Sequence, residues 1–313
     1  MGPEKRGKTF ILLEITIRSL MSGCNAIFFQ AGDMSESQQL RRLAVYLTKW
    51  PAREKYCKGL WIPTLDCLYN QLDTCTRKER ECDDGPFAGL DLKEIAFADL
   101  VKAAKESEAY YKPCRNCQKM KGAPWLKWQQ PFQRPLSWKD AYKAARTFYK
   151  KYKRNLKIST HANETLSIHE MNTILNTLER QEGFIPDVIV IDYADILAPD
   201  PDMPKEFRHK ENKIWQRLRR LSQERHCLVV TATQTDAKSA EKELLGRMDF
   251  SEDKRKYAHV TAMYGLNQTD NEKKIGVMRF NEIVIREDDF SVNSQVKVLQ
   301  RLQIGKPFIG SYF

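Results

Sequence analysis

The chain has 313 residues, 42% of them hydrophobic and 30% charged, with a formal net charge of +11. That length suits one large α/β domain, or a domain carrying an insertion, and no run of about 18 apolar residues offers a membrane span. Phe10 to Leu20 is apolar behind basic residues, but Glu14 and Arg18 interrupt it and no small-residue cleavage site follows, so secretion is not indicated and the protein reads as soluble and cytoplasmic.

The first residues, Gly2-Pro3-Glu4-Lys5-Arg6-Gly7-Lys8-Thr9, form a Gly-x-x-x-x-Gly-Lys-Thr run. Glycines at its ends let backbone N–H groups turn inward around phosphate oxygens. Lys8 reaches the terminal phosphates, the Thr9 hydroxyl ligates Mg²⁺, and a following helix points its positive end at the anion. Such a loop ordinarily follows a strand. Only Met1 precedes Gly2, so the expectation is a truncated chain, a mis-assigned start, or a strand supplied by another segment.

Residues 10–20 read as a helix with Ile11, Leu12, Ile15 and Leu20 as its apolar positions. Asn25 to Gln30 reads as a buried strand that ends at Ala31-Gly32-Asp33. A helix follows from about Ser35 to Trp50, and Ser35-Glu36-Ser37-Gln38 resembles a capping box. Asp33, between strand end and helix, is placed to orient and deprotonate a water, or to cap the helix.

From 51 to 157 the pattern becomes irregular, and this segment reads as an insertion. Residues 49–160 hold 24 Lys/Arg against 13 Asp/Glu, an excess equal to the charge of the whole chain. Five of the six tryptophans (Trp50, Trp61, Trp125, Trp128 and Trp138) lie there too. Cations neutralise phosphates and rings stack on bases, so the segment suits nucleic acid as well as a plain solvated basic surface. A basic, aromatic helix from about Trp138 to Arg154 closes it.

Six of the eight cysteines fall between residues 57 and 117, and clustering without a secretion signal favours metal over disulfides. Cys114-Arg115-Asn116-Cys117 looks like half of a zinc ribbon. Cys67 and Cys75 are the preferred completing ligands for a structural Zn²⁺, with Cys82 in reserve and Cys57 also available. A polar segment poor in aliphatics lacks a core of its own, and zinc would contribute that stability.

A helix at roughly 167–181 precedes Val188-Ile189-Val190-Ile191-Asp192-Tyr193, a fully buried strand by length and β-branching. Asp192 at its end is where a carboxylate holds Mg²⁺, or caps a turn. A helix at 206–225 follows, then a strand at 227–232 ending near Gln234, which reads as a γ-phosphate sensor or a surface polar residue. Residues 235–257 are polar, without apolar periodicity, and read as a mobile loop. Strands near 259–266, 275–286 and 295–302 alternate as antiparallel edges do. The whole argues for an α/β fold with a mostly parallel sheet and helices on both faces.

These pieces together resemble the C-terminal ATPase domain of DnaB-like replicative helicases, in the RecA-like P-loop superfamily, and are closest to divergent phage or mobile-element members. The resemblance is carried by Gly2–Thr9, by Phe28-Phe29-Gln30-Ala31-Gly32-Asp33-Met34-Ser35 with Gln39, Leu40, Arg41 and Arg42, by Val188–Tyr193, by Val229-Val230-Thr231-Ala232-Thr233-Gln234-Thr235, and by Gln300-Arg301. It covers residues 1–50 and 185–313.

The resemblance implies ATP and Mg²⁺ as cofactors, a homo-hexameric ring, and single-stranded DNA in a central channel. It implies that Gly2, Gly7, Lys8 and Thr9 bind phosphate and that Asp192 holds the magnesium. Gln234 is then the switch glutamine, and Asp33 the catalytic carboxylate, one methylene shorter than the family's Glu. Arg301, with Lys306, is implied as a finger reaching the next subunit's ATP. Lys238, Lys242, Arg247 and Lys254 fall where the family places DNA-contacting loops. The expected domains are a RecA-like core at 1–50 and 158–313, and a zinc-binding insertion at 51–157.

Overall fold

The computed structural model describes residues 1–4, 6–77, 82, 84–90, 95–115, 117–202, 207–235, 242–247, 249 and 254–313. In chain order the elements are α1 (Lys8–Met21), β1 (Ala26–Gln30), α2 (Glu36–Thr48), β2 (Leu60–Cys67), the single turn α3 (Leu68–Gln71), α4 (Phe97–Glu106), β3 (Gly122–Gln129), α5 (Trp138–Tyr152), β4 (Leu156–Thr160), α6 (Ile168–Glu182), β5 (Val188–Asp192), α7 (Phe207–Arg225), β6 (Leu228–Thr231), β7 (Ala262–Asn267), α8 (Asp270–Ile275), β8 (Val277–Ile285), β9 (Gln295–Arg301) and β10 (Lys306–Tyr312). Among the described residues, no helix is long and apolar enough to cross a membrane.

A parallel four-stranded sheet, ordered β4-β1-β5-β6, forms the centre. Every residue of β1 and β5 is buried, which is why both segments read as continuous apolar runs. Their side chains alternate between two cores. Ile27, Phe29, Ile189 and Ile191 pack with Met171 and Leu175 of α6 and with Ile214 and Leu218 of α7. Ala26, Phe28, Val188 and Val190 face Leu12, Ile17 and Leu20 of α1 and Tyr46 of α2, with Phe148 and Tyr152 of α5 alongside. Each fully buried large apolar side chain contributes about 1.5–3 kcal/mol.

The sheet has an edge strand that periodicity did not reveal. β4 pairs in parallel with β1, from Ala26↔Leu156 to Gln30↔Thr160. Its sequence, Leu-Lys-Ile-Ser-Thr, is only partly buried, so it lacks the apolar run that marks β1 and β5.

A second sheet, antiparallel and ordered β10-β9-β8-β7, completes the C-terminal part. Met1 and Gly2 lie between the two sheets. Gly2 forms a parallel bridge with Gln234 beyond β6, and the Met1 carbonyl accepts the Leu266 N–H of β7 at 2.8 Å.

The segment read as irregular contains an antiparallel pair, β2 with β3, in register from Leu60↔Gln129 to Cys67↔Gly122. It packs against β9 and β10, and α4 packs against β3 and α8. Gly122 is required there, because a Cβ would sit 2.3 Å from Tyr312 Cβ. Phe87, Leu100, Tyr111, Trp125 and Leu126 share one core with Ile275, Val277, Leu299 and Tyr312. The segment therefore has a core, borrowed from the C-terminal sheet.

This removes the premise of the zinc expectation, and the ligand set does not assemble either. Among the described residues, no group of three or more His, Cys, Asp or Glu side chains could hold a metal ion, so Cys67, Cys75, Cys114 and Cys117 do not form the expected centre. A carboxylate organises the knuckle instead. Asp66, fully buried, accepts the backbone N–H groups of Cys67 (2.7 Å) and Cys114 (2.8 Å), the Tyr111 hydroxyl (2.6 Å) and Gln71 Nε2 (3.0 Å). Four donors satisfy a buried anion that would otherwise be costly.

Candidate active site

The phosphate-binding candidates converge at the C-terminal end of the parallel sheet, where such sheets place ligands. Gly7 sits at the N-terminus of α1 with φ +86, a left-handed conformation that suits glycine, and its carbonyl accepts the Ile11 N–H. Lys8 follows at the first helical position, and its ammonium donates to the carbonyls of Gly2 (2.8 Å) and Pro3 (3.1 Å). Burial pulls this ammonium below its ordinary pKa, against the opposing charges of Asp195, Glu4, Asp192 and Asp33. α1 therefore begins with a cation, and among the described residues its N-cap supplies no side-chain hydrogen bond to the first N–H groups.

Thr9 Oγ1 donates to Asp192 Oδ1 at 3.3 Å. Asp192 ends β5 and is 1% exposed, and its other oxygen, Oδ2, has no hydrogen-bond partner among the described residues. Burial pushes its carboxyl up to about 6, with the Thr9 hydrogen bond, Arg42 and Lys8 opposing and Asp33 assisting. A buried carboxylate with a spare oxygen beside a threonine hydroxyl is a donor set of the oxygen type that suits Mg²⁺.

Asp33 is exposed in the turn after β1. It does not cap α2. Ser35 does, accepting the Gln38 N–H at 3.4 Å, while the Gln38 side chain returns to the Ser35 N–H at 3.1 Å. The capping box is thus present as expected, and the turn leaves Asp33 clear of the helix. The chain turns tightly here, since a Cβ on Gly32 (φ +111) would lie 2.3 Å from the backbone of Asn163.

Gln234 follows β6. Its side chain donates to the Tyr193 hydroxyl at 2.8 Å, and its backbone N–H donates to Asp195 Oδ2 at 2.9 Å. The same carboxylate accepts the Thr233 hydroxyl and, through Oδ1, the ammonium of Lys256 at 2.9 Å. Lys256 also pairs with Glu211 of α7 at 3.1 Å. Burial alone pulls the Lys256 ammonium down, but Asp195 and Glu211 outweigh it and leave it above the ordinary lysine range.

Asp195, Lys256, Tyr193 and Arg42 were given no role by sequence reading. Arg42 is half-buried, lies over the Phe10 ring at 5.5 Å, and is held below its ordinary pKa by burial against Asp192 and Asp33. Asp195 has a faint sequence signal, three residues beyond Asp192. Lys256 has none, because it follows a polar stretch without periodicity.

Arg301 is placed differently from the expectation of an outward finger. It is 7% exposed at the end of β9 and donates to the carbonyls of Lys274 (3.2 Å) and Ile275 (2.7 Å) at the C-terminus of α8. Burial brings its pKa down to about 10. Lys306, half-buried, pairs with it across β9 and β10.

Two of the four loop cations, Lys242 and Arg247, have described side chains. Lys238 and the side chain of Lys254 lie outside the described residues. Lys242 is exposed and pairs with Asp249. Arg247 donates to the Ile283 carbonyl at 3.3 Å and lies over the Phe290 ring at 5.2 Å.

No family model and no curated protein matches this sequence. Solved structures do match. One is described as an "ATPase Domain", with a TM-score of 0.59 and 12% identity, covering 97% of this chain and 81% of that one. Another is "The Structure Of A DnaB-Like Replicative Helicase And Its Interactions With Primase", with a TM-score of 0.56 and 13% identity, covering 97% of this chain and 56% of that one. At such identities the likeness is one of fold. The chain has the α/β architecture of DnaB-like helicase ATPase domains, with a parallel four-stranded sheet flanked by helices.

Proposed function

We propose that this chain is an ATP-dependent DNA helicase or translocase that hydrolyses Mg-ATP between the subunits of a homo-hexameric ring, with single-stranded DNA in the central channel. The carrying observation is the Thr9–Asp192 pair at the mouth of a glycine-bounded loop, with a buried carboxylate oxygen beside it that has no partner among the described residues. The reading also draws on the fold shared with helicase ATPase domains.

In this reading Gly2, Gly7 and Lys8 bind the phosphates, and Thr9 and Asp192 hold Mg²⁺. When bound, the metal neutralises charge that develops between the terminal phosphates. Asp33 orients a water and takes its proton as the water oxygen bonds to the terminal phosphorus and the bridging P–O bond breaks. Gln234 reports the terminal phosphate to Asp195. Lys238, Lys242, Arg247 and Lys254 meet backbone phosphates of DNA. For Arg301 to act in a neighbouring site it must first release the Lys274 and Ile275 carbonyls.

A second reading is a RecA-like ATPase that remodels or loads nucleoprotein without unwinding; a third, favoured by the shorter carboxylate at Asp33, is a nucleotide-gated DNA-binding module without hydrolysis. ATP hydrolysis stimulated by single-stranded DNA and lost in Lys8→Ala supports the motor reading. A folded protein that hydrolyses no ATP with or without DNA overturns it. Displacement of a strand from a forked duplex separates helicase from remodeller.

A further inference from the structure

Helix α5 has a face that the fold does not use. Its buried side is built from Ala141, with Phe148 and Tyr152 packed toward the core of α1 and α2. Ser137 caps it, accepting the Asp140 N–H, and Arg134 anchors the first turn through Asp140 at 2.7 Å. The strip beside it, about a quarter turn round the helix, carries Trp138, Tyr142 and Tyr149, which are 72%, 68% and 64% exposed. Large rings at such exposure do nothing for the core that buries their neighbours.

Their spacing is ordered. At about 100° per residue the three rings fall within about 40° of one another on the helix, and the 1.5 Å rise spreads them over about 16 Å. Lys139, Arg146, Lys150 and Lys153 lie on the adjoining strip and are exposed. The exposed positions of α5 hold Trp, Tyr, Lys, Arg and Thr, and no Leu, Ile, Val, Met or Phe. That composition decides between two anionic partners. A membrane-seeking helix carries several Trp, Phe or Leu side chains to bury at the acyl boundary, and the exposed positions of α5 offer one Trp and no Phe or Leu. A single nucleic-acid strand needs flat rings for its bases and cations for its phosphates.

We infer that α5 is a stacking platform for a single nucleic-acid strand, formed by Trp138, Tyr142 and Tyr149 with Arg146, Lys150 and Lys153 along one flank. This contact is separate from the 238–254 loop and does not depend on ATP hydrolysis. Its length suits on the order of four nucleotides, the low end of known site sizes. Trp50, tilted against Phe132 with ring centres 5.8 Å apart and with Arg134 over its ring, donates its Nε1–H to the Arg134 carbonyl and so adjoins the first turn.

The test is fluorescence anisotropy of a labelled oligothymidylate on the full chain, without nucleotide, over a range of salt. The double variant Tyr142→Ala/Tyr149→Ala is expected to weaken binding about tenfold or more, from the loss of two stacking rings. Tyr142→Phe/Tyr149→Phe is expected to bind as the unaltered chain does. Lys150→Gln/Lys153→Gln is expected to lower the slope of log affinity against log salt by about 1.4. Every position changed is solvent-exposed, and circular dichroism checks folding. Unchanged oligonucleotide binding by the folded Ala double variant overturns the inference. So does loss of binding to phosphatidylserine vesicles in that variant with oligonucleotide binding intact. A chain that binds the oligonucleotide through α5 but hydrolyses no ATP sinks the motor reading alone. ATPase activity with binding indifferent to the tyrosines sinks this inference alone.

Discussion

Asp195 and Lys256 form a buried ion pair at 2.9 Å, and the same carboxylate holds the backbone N–H of Gln234. Lys256 is fully buried and Glu211, its second partner, is 1% exposed. One side chain thus ties α7, the turn after β5 and the segment after β6. Lys256→Met removes the buried cation that Asp195 and Glu211 share. The expected cost is about 3–5 kcal/mol in urea unfolding. Adding Glu211→Gln should recover part of it, because a neutral amide is easier to bury. If Lys256→Met is as stable as the unaltered chain, the pair is not the anchor argued for.

Asp33 is the candidate base, and the separation of its role from helix capping makes a sharp expectation. Ser35 holds the start of α2, so Asp33→Asn should leave the helix and nucleotide binding intact. Hydrolysis should fall by about 10²–10⁴, the range for loss of a general base. Binding of a fluorescent ATP analogue should change by less than about threefold. Equal losses of binding and turnover would assign Asp33 to structure instead.

An element is legible in the sequence where the segment's own pattern declares its environment. β1 and β5, buried on both faces, appear as Ala26–Gln30 and Val188–Asp192 apolar runs and were legible. So were α1, α6 and the Ser35 capping box. β4 was not, because an edge strand with Lys157 and Ser159 carries half a signal. The insertion misled for a related reason. Its core is completed by Leu299, Val277 and Tyr312, over a hundred residues away in sequence, so it looked coreless and in need of zinc. At the site, Lys8, Thr9, Asp33, Asp192 and Gln234 stood out at element ends. Lys256 and Arg301 did not declare their burial, since a charge in sequence says nothing of its partners.

Asp192 trades stability for function in this reading. Its carboxyl is buried, Oδ2 has no partner among the described residues, and burial raises its pKa from the ordinary carboxylate range to about 6. A raised carboxyl pKa means the folded state disfavours the charge that it carries at pH 7.5. Asp192→Asn removes that charge at the same volume. The protein without metal or nucleotide should gain on the order of 1–2 kcal/mol of stability at pH 7.5. The same variant should lose Mg-dependent ATP hydrolysis. A less stable Asp192→Asn would show that the ionised carboxylate is well satisfied in the fold.

Lys49 offers a test of the contact between α2 and the turn before β10. It ends α2 in the left-handed conformation, φ 55, and its ammonium donates to the Gly305 carbonyl at 2.8 Å while lying 3.6 Å from the centre of the Tyr46 ring. The turn approaches so closely that a Cβ on Gly305 would lie 2.5 Å from Tyr46 Cα. Burial, opposed by Glu14 and aided by Lys306, brings the Lys49 pKa down from 10.5 to about 8. Between those two values the unfolded chain binds a proton that the folded chain has released, so this group's contribution to stability rises with pH across that window. Lys49→Met lacks the titration but keeps the stem over Tyr46. The difference between the urea midpoints of the unaltered chain and Lys49→Met should therefore shift in favour of the unaltered chain from pH 7.5 to pH 9.5. A difference that stays constant, or shifts the other way, would mean that Lys49 keeps its solvent contact and that the turn does not close over it.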